Sequence, residues 1–227
     1  MLNLSLFSLT HVDSALLRKN VSIVHQFTEA GEFWIGFYNE QAQIQKKSLL
    51  QVSDHVKTFV LNMTCGDKQY DKACPCTDDE ISEYTLRAGG FMHLQGSENG
   101  YFVLLYKAGD KKALWDSRKL DAGDVFAFML LRPGKYIFSN YASGAENPLT
   151  VTYPDPRQNS KMKKIQFEQI KLKTFDEWNW DPVSIRPGQG VVIEVDKPSR
   201  FYGDLREADD GPADLKAWRN ELNRNLI

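Results

Sequence analysis

Residues 120–154, LDAGDVFAFMLLRPGKYIFSNYASGAENPLTVTYP, decide the structural class of this chain. Three strands follow one another: VFAFMLL (125–131), KYIFSN (135–140) and LTVTYP (149–154). Pro133 and Gly134 supply the turn between the first two, because proline presets φ and glycine accepts positive φ. The result is a β-meander over an apolar face, with no evident catalytic group.

The same grammar runs outward in both directions. VSIVHQF, EFWIGFY and IQKKSLLQV fill residues 21–52 between short turns, and aromatic and β-branched runs at this spacing predict an antiparallel meander. In EFWIGFY, Phe33, Ile35 and Phe37 share one face. HVKTFVLNM (55–63), YTLRAGGFMHL, GYFVLLYK and ALWDSRKL continue the pattern, and the N-terminal Leu2, Leu4 and Leu6 alternate like a strand. After the polar linker DPRQNSKMK come KIQFEQIKLKT and VSIRPGQGVVIEV. The chain ends in DGPADLKAWRNELNRNLI. Pro212 in a first turn and the stripe Leu215, Trp218, Leu222, Leu226 predict an amphipathic helix over 212–226.

The expected class is mainly β: antiparallel β-sandwich modules with one C-terminal amphipathic helix. Residues 1–158 form the larger module, with a Cys-containing insertion near 64–80, and 161–227 form a smaller one. Gly31-Glu-Phe-Trp-Ile, Gly134-Lys-Tyr-Ile-Phe and Gly190-Val-Val-Ile-Glu each launch an apolar strand from a glycine turn. These echoes are too short for a repeat protein, and a duplicated sandwich stays open.

A net charge of −2 lacks the basic excess that sequence-independent nucleic-acid binding needs. The cluster Lys161–Lys164 reads as a solvated hinge. No stretch approaches the ~20 apolar residues of a membrane helix, and the N-terminus lacks a positive n-region. An unprocessed, cytoplasmic chain is expected. Asn3, Asn20 and Asn62 open Asn-x-Ser/Thr triplets, which chance supplies at this length.

Two pieces resemble cupredoxin-like sandwiches. Trp180-Asp-Pro-Val-Ser-Ile-Arg-Pro-Gly-Gln-Gly-Val-Val-Ile-Glu-Val looks like their early strand pair, and Leu131-Arg-Pro-Gly-Lys-Tyr-Ile-Phe-Ser-Asn like their late Pro-Gly-x-Tyr strand. Immunoglobulin-like domains share such patterns, so the resemblance implies a sandwich. It does not bring copper: where the family places Cys and then His, this chain has Ser139, Asn140 and Tyr141, and no histidine follows His93.

Cys65, Cys74 and Cys76 lie in one segment, with Pro75 between the last two. Thiolates at this spacing could hold zinc or copper, with His93 or His55 completing the site. A disulfide and free surface thiols are the alternatives. His11, His25, His55 and His93 are scattered, and His25 reads as a strand residue with a locally bonded ring. Trp178 and Trp180 before a proline could stack on a sugar or anchor a partner, as could Phe201, Tyr202 and Trp218. With no convergent catalytic set, the expectation is a non-enzymatic structural or protein-interaction protein, in a homo-oligomer or larger assembly, without a resident cofactor.

Overall fold

The computed structural model describes residues 9–65, 81–152, 170–173 and 183–209. They form sixteen strands: β1 His11–Asp13, β2 Val21–Gln26, β3 Gly31–Tyr38, β4 Ile44–Val52, β5 Val60–Thr64, β6 Ser82–Leu86, β7 Phe91–Gln95, β8 Phe102–Lys107, β9 Trp115–Asp116, β10 Val125–Met129, β11 Gly134–Asn140, β12 Ala145–Val151, β13 Ile170–Lys173, β14 Val183–Ile185, β15 Gly190–Glu194 and β16 Phe201–Ala208. A central six-stranded sheet has the order β13-β15-β10-β2-β7-β5. Two five-stranded sheets accompany it, β6-β4-β3-β8-β9 and β14-β12-β11-β16-β1.

The expected fold class needs correcting. The described residues contain no helix, and the sheets are mixed rather than antiparallel. The pairs β4·β6, β5·β7, β12·β14 and β13·β15 are parallel. The cause is the path of the chain, which alternates between layers over β4–β7. Each strand then lies beside the next but one, running the same way, and β12–β15 do likewise. The expected helix 212–226 and the N-terminal strand at Leu2–Leu6 lie outside the described residues. Strands β14, β15 and β16, from the C-terminal part of the sequence, pair with β12, β10, β11 and β1.

The two outer sheets share one topology. β6, β4, β3, β8 and β9 match β14, β12, β11, β16 and β1, strand for strand and sense for sense. The sequence follows suit, with the offset between the halves shortening from 103 to 99 positions along the unit. Asp13/Asp116, Ser14/Ser117, Leu17/Leu120, Ile23/Phe126 and Gly31/Gly134 are all 103 positions apart, and residues 85–95 align with 184–194. The hydrogen bonds repeat too. Phe201 N donates to Ser14 Oγ at 2.9 Å and Val103 N to Ser117 Oγ at 2.8 Å. Leu17 N and Leu120 N donate to Tyr101 O and Ser199 O. Gly89 and Gly188 turn with φ of +80° and +82°, which glycine adopts without strain, and donate to Phe27 O and Leu130 O.

The described residues are therefore two copies of one eight-strand unit, β1–β8 and β9–β16. Each lends its first strand to the other's outer sheet. Ile23 and Phe126, equivalent residues, pair directly with each other, so the pseudo-twofold axis passes between them. Through this pair runs one row across the central sheet: Met63, Leu94, Ile23, Phe126, Ile193, Leu172. The first five are buried, and both outer sheets pack on this side, as Phe126 on Phe201 and Phe27 on Phe33 show. Residues on both sides of the axis belong to one buried cluster, a single core.

Candidate functional site

Two places among the described residues stand out. The first is beside the axis, inside the core. Asp124, 2% exposed, accepts from His25 Nδ1 at 2.7 Å, Trp115 Nε1 at 2.9 Å and the Asp121 backbone N–H at 2.8 Å. His25 lies against Trp115, with ring centroids 4.4 Å apart, and edge-on to Phe27. Its partner is 99 residues away in sequence, not local. The equivalents of His25 and Asp124 are Phe128 and Val21, also a cross-strand pair. There, Phe128 stacks on Phe138 at 4.6 Å. One side of the axis holds a polar triad, the other an aromatic stack. Burial and the Asp124 carboxylate raise the Asp121 carboxyl above its ordinary value, partly offset by His25 and Lys119. All three Asp124 donors are internal, so the triad orients His25 and ties β2, β9 and β10 together.

The second place is the outer face of the central sheet. Strand alternation turns Ser22 and Val24 of β2, His93 and Gln95 of β7, Ala127 and Met129 of β10, and Val60 and Asn62 of β5 to this face. Two open recesses lie on it. One, of about 420 Å³, is lined by Val24, Val60, Phe91 and His93. Phe59 packs edge-on to Phe91, and Phe59 and Val60 are half exposed. The other, of about 430 Å³, has Asn20, Ser22, His93, Gln95 and Met129 in its wall. Asn20 immediately precedes β2, where its carbonyl accepts from Met129 N. It is 93% buried, yet neither Oδ1 nor Nδ2 has a hydrogen-bond partner. Burial of an unpaired amide costs about 1–3 kcal/mol. His93 Nδ1 donates to Asn62 Oδ1 at 2.9 Å, which leaves Nε2 an acceptor in the neutral ring, and burial lowers the His93 pKa. At the rim, the Lys19 ammonium is paired with Glu98 at 3.0 Å.

Cys65 is buried beside Tyr101 on the core side of the central sheet, whereas His93 is on the outer side, so these two candidate ligands are not brought together. Cys74 and Cys76 lie outside the described residues, as do Trp178, Trp180 and Trp218. Among the described residues no cluster of His, Cys, Asp and Glu could hold a metal. Phe201 is in the core, stacked on Phe126, rather than at the surface. Tyr202 is half-buried next to the exposed Tyr141, over which the Arg200 guanidinium lies. Among the described residues no helix is long and apolar enough to cross a membrane.

Asp124, Trp115 and Asn20 escaped the sequence reading. Aligning Val12-Asp13-Ser14 with Trp115-Asp116-Ser117 would have exposed Asp124 and His25 as positions where the halves differ. Asn20 was visible only as the head of a triplet, Asn20-Val-Ser22, that shares the outer face with Asn62-Met-Thr64.

No family model matches the chain, and no curated protein or solved structure is detectably similar to it.

Proposed function

We propose that this chain works by contact rather than by turnover, as a structural or protein-interaction subunit of a larger assembly. In this reading each unit is a cupredoxin-like or immunoglobulin-like scaffold, and the working surface is the outer face of the shared sheet. The observation that carries it is the recess of Val24, Val60, Phe91 and His93 beside half-exposed Phe59. Contiguous exposed apolar surface on a folded domain marks a contact site. The residues around it, Asn62, Ser22, Gln95, Ala127 and Met129, are neutral, and the Lys19 charge is already paired. That complements an uncharged apolar protein segment rather than a polyanion.

Val60→Asp, at a half-exposed position, tests this without opening the core. Native mass of the gently purified full chain should exceed the 26.0 kDa monomer and fall to it in the variant. A wild-type protein already at the monomer mass, unchanged by Val60→Asp, sinks the reading.

A further inference from the structure

We infer that the open edge of β5 is where a second copy of this chain docks: β5 pairs with its own copy, antiparallel, across a twofold axis at Asn62. The two central sheets then join into one. This rests on the contact reading above and specifies both the partner and the surface.

β5 closes one side of the central sheet and, among the described residues, pairs with β7 alone. The Phe59 carbonyl accepts from Phe91 N, which fixes the phase of this parallel ladder. Phe59, Leu61 and Met63 turn their N–H and C=O towards β7, and Val60, Asn62 and Thr64 turn theirs outward. Such a row of main-chain groups is a template for another strand.

The opposite edge of the same sheet is β13. Leu61 pairs with Met92 as Ile170 pairs with Val191, and Met92 and Val191 are equivalents. The outward positions Asn62 and Thr64 therefore correspond to Lys171 and Lys173. Lysines guard an edge, because like charges are brought together when it pairs with itself. β5 carries none: Val60-Leu-Asn-Met-Thr64 is uncharged, with Val60 half exposed and Asn62 exposed. One edge is guarded and the other is open.

The open edge fits itself. With Asn62 opposite Asn62, Val60 falls opposite Thr64, so every outward residue of both strands lands in a hydrogen-bonded pair. Val60 and Thr64 are both β-branched, which suits a cross-strand pair. The Asn62 carboxamide brings a donor and an acceptor to its own image. A slip of one residue sets outward groups against inward ones, and a slip of two leaves an end unpaired. The axis stands perpendicular to the sheet, so both outer faces lie on one side. The two recesses of Val24, Val60, Phe91 and His93 then flank the seam. Such a contact is isologous and closes at two chains.

The test is light scattering of the gently purified full chain, with residue-resolved amide hydrogen exchange by NMR. The mass should be about 52 kDa, twice the 26.0 kDa chain. The Val60, Asn62 and Thr64 amides should exchange as slowly as those of Leu61 and Met63. Asn62→Lys, which sets two lysines face to face on the axis, should halve the mass. It should also speed exchange at positions 60, 62 and 64 by about tenfold or more, while Leu61 and Met63 stay slow. Asn62→Pro carries the same expectation for the mass should the lysine variant not fold, since the N–H it removes belongs to the open edge. An assembly whose mass Asn62→Lys leaves unchanged overturns this inference and spares the contact reading. So does slow exchange in a particle that holds a different protein in place of the second copy. Slow exchange at all three amides in a 26.0 kDa particle means that the chain covers this edge itself, and overturns the inference. A 26.0 kDa particle with fast exchange there overturns both.

Discussion

On one side of the pseudo-twofold axis Asp124 gathers His25, Trp115 and Asp121. On the other, Val21 and Phe128 occupy the same positions against an aromatic stack. The backbone is the same on both sides, so the difference isolates what side chains add to a fixed frame. An apolar pair holds by area and loses stability only in proportion to the methyl groups removed. A buried carboxylate holds by direction: it costs desolvation and returns stability only when every donor is in place. The polar side is therefore the brittle side.

The sharpest way to break that comparison is to truncate both sides. Asp124→Ala leaves the Trp115 and Asp121 N–H groups and the His25 ring without their acceptor, and should cost about 3–5 kcal/mol. Val21→Ala removes two buried methyl-sized groups and should cost about 1.5 kcal/mol. Urea unfolding midpoints at matched m-values measure both. Equal losses would mean that the triad is no more demanding than the stack.

Where the two halves agree, mutations should agree. Ser14 and Ser117 are both fully buried, and each accepts a backbone N–H from the neighbouring strand of its sheet, Phe201 of β16 or Val103 of β8. Ser14→Ala and Ser117→Ala should each cost about 1–3 kcal/mol, the penalty of leaving a buried N–H unpaired. The two values should fall within about 0.5 kcal/mol of each other, the usual scatter between independent sites. A clear inequality would show that the strand exchange of β1 is not energetically equivalent to that of β9.

This contrast also explains what could be read from the sequence. Strands such as Ile44–Val52 and Gly31–Tyr38 were legible because alternation is local: Phe33, Ile35 and Phe37 declare their face within five residues. The parallel pairs were not, since β4·β6 requires knowing that the chain crosses to another layer in between. The doubling left only glycine-led strand starts on view, because apolar positions tolerate exchange, as Ile23 for Phe126 or Phe33 for Tyr136. His25 was visible but its partner was not, for Asp124 sits in a turn of another unit. Asn20 carries no periodic signal, and its orphaned state is a property of packing alone.

The smallest expected effect concerns pH, and it separates the outer face from the core triad. Burial lowers the His93 pKa below its ordinary 6.5. A ring that resists protonation when folded, but accepts a proton at 6.5 when unfolded, gives the unfolded chain more bound protons as the pH falls. The stability linked to neutral His93 is thus complete above pH 6.5 and is lost as the pH falls through the lower folded value. His93→Gln, which has nothing to titrate, should remove that part of the decline, and wild type minus variant across pH 4–8 isolates it from the other histidines. His93 is partly exposed, so solvent screens the effect and the difference should be shallow. A difference curve that is flat would mean that the ring protonates as readily in the folded protein as in the unfolded chain. One that rises as the pH falls would reverse the sign and require the imidazolium, not the neutral ring, to be the form this face favours.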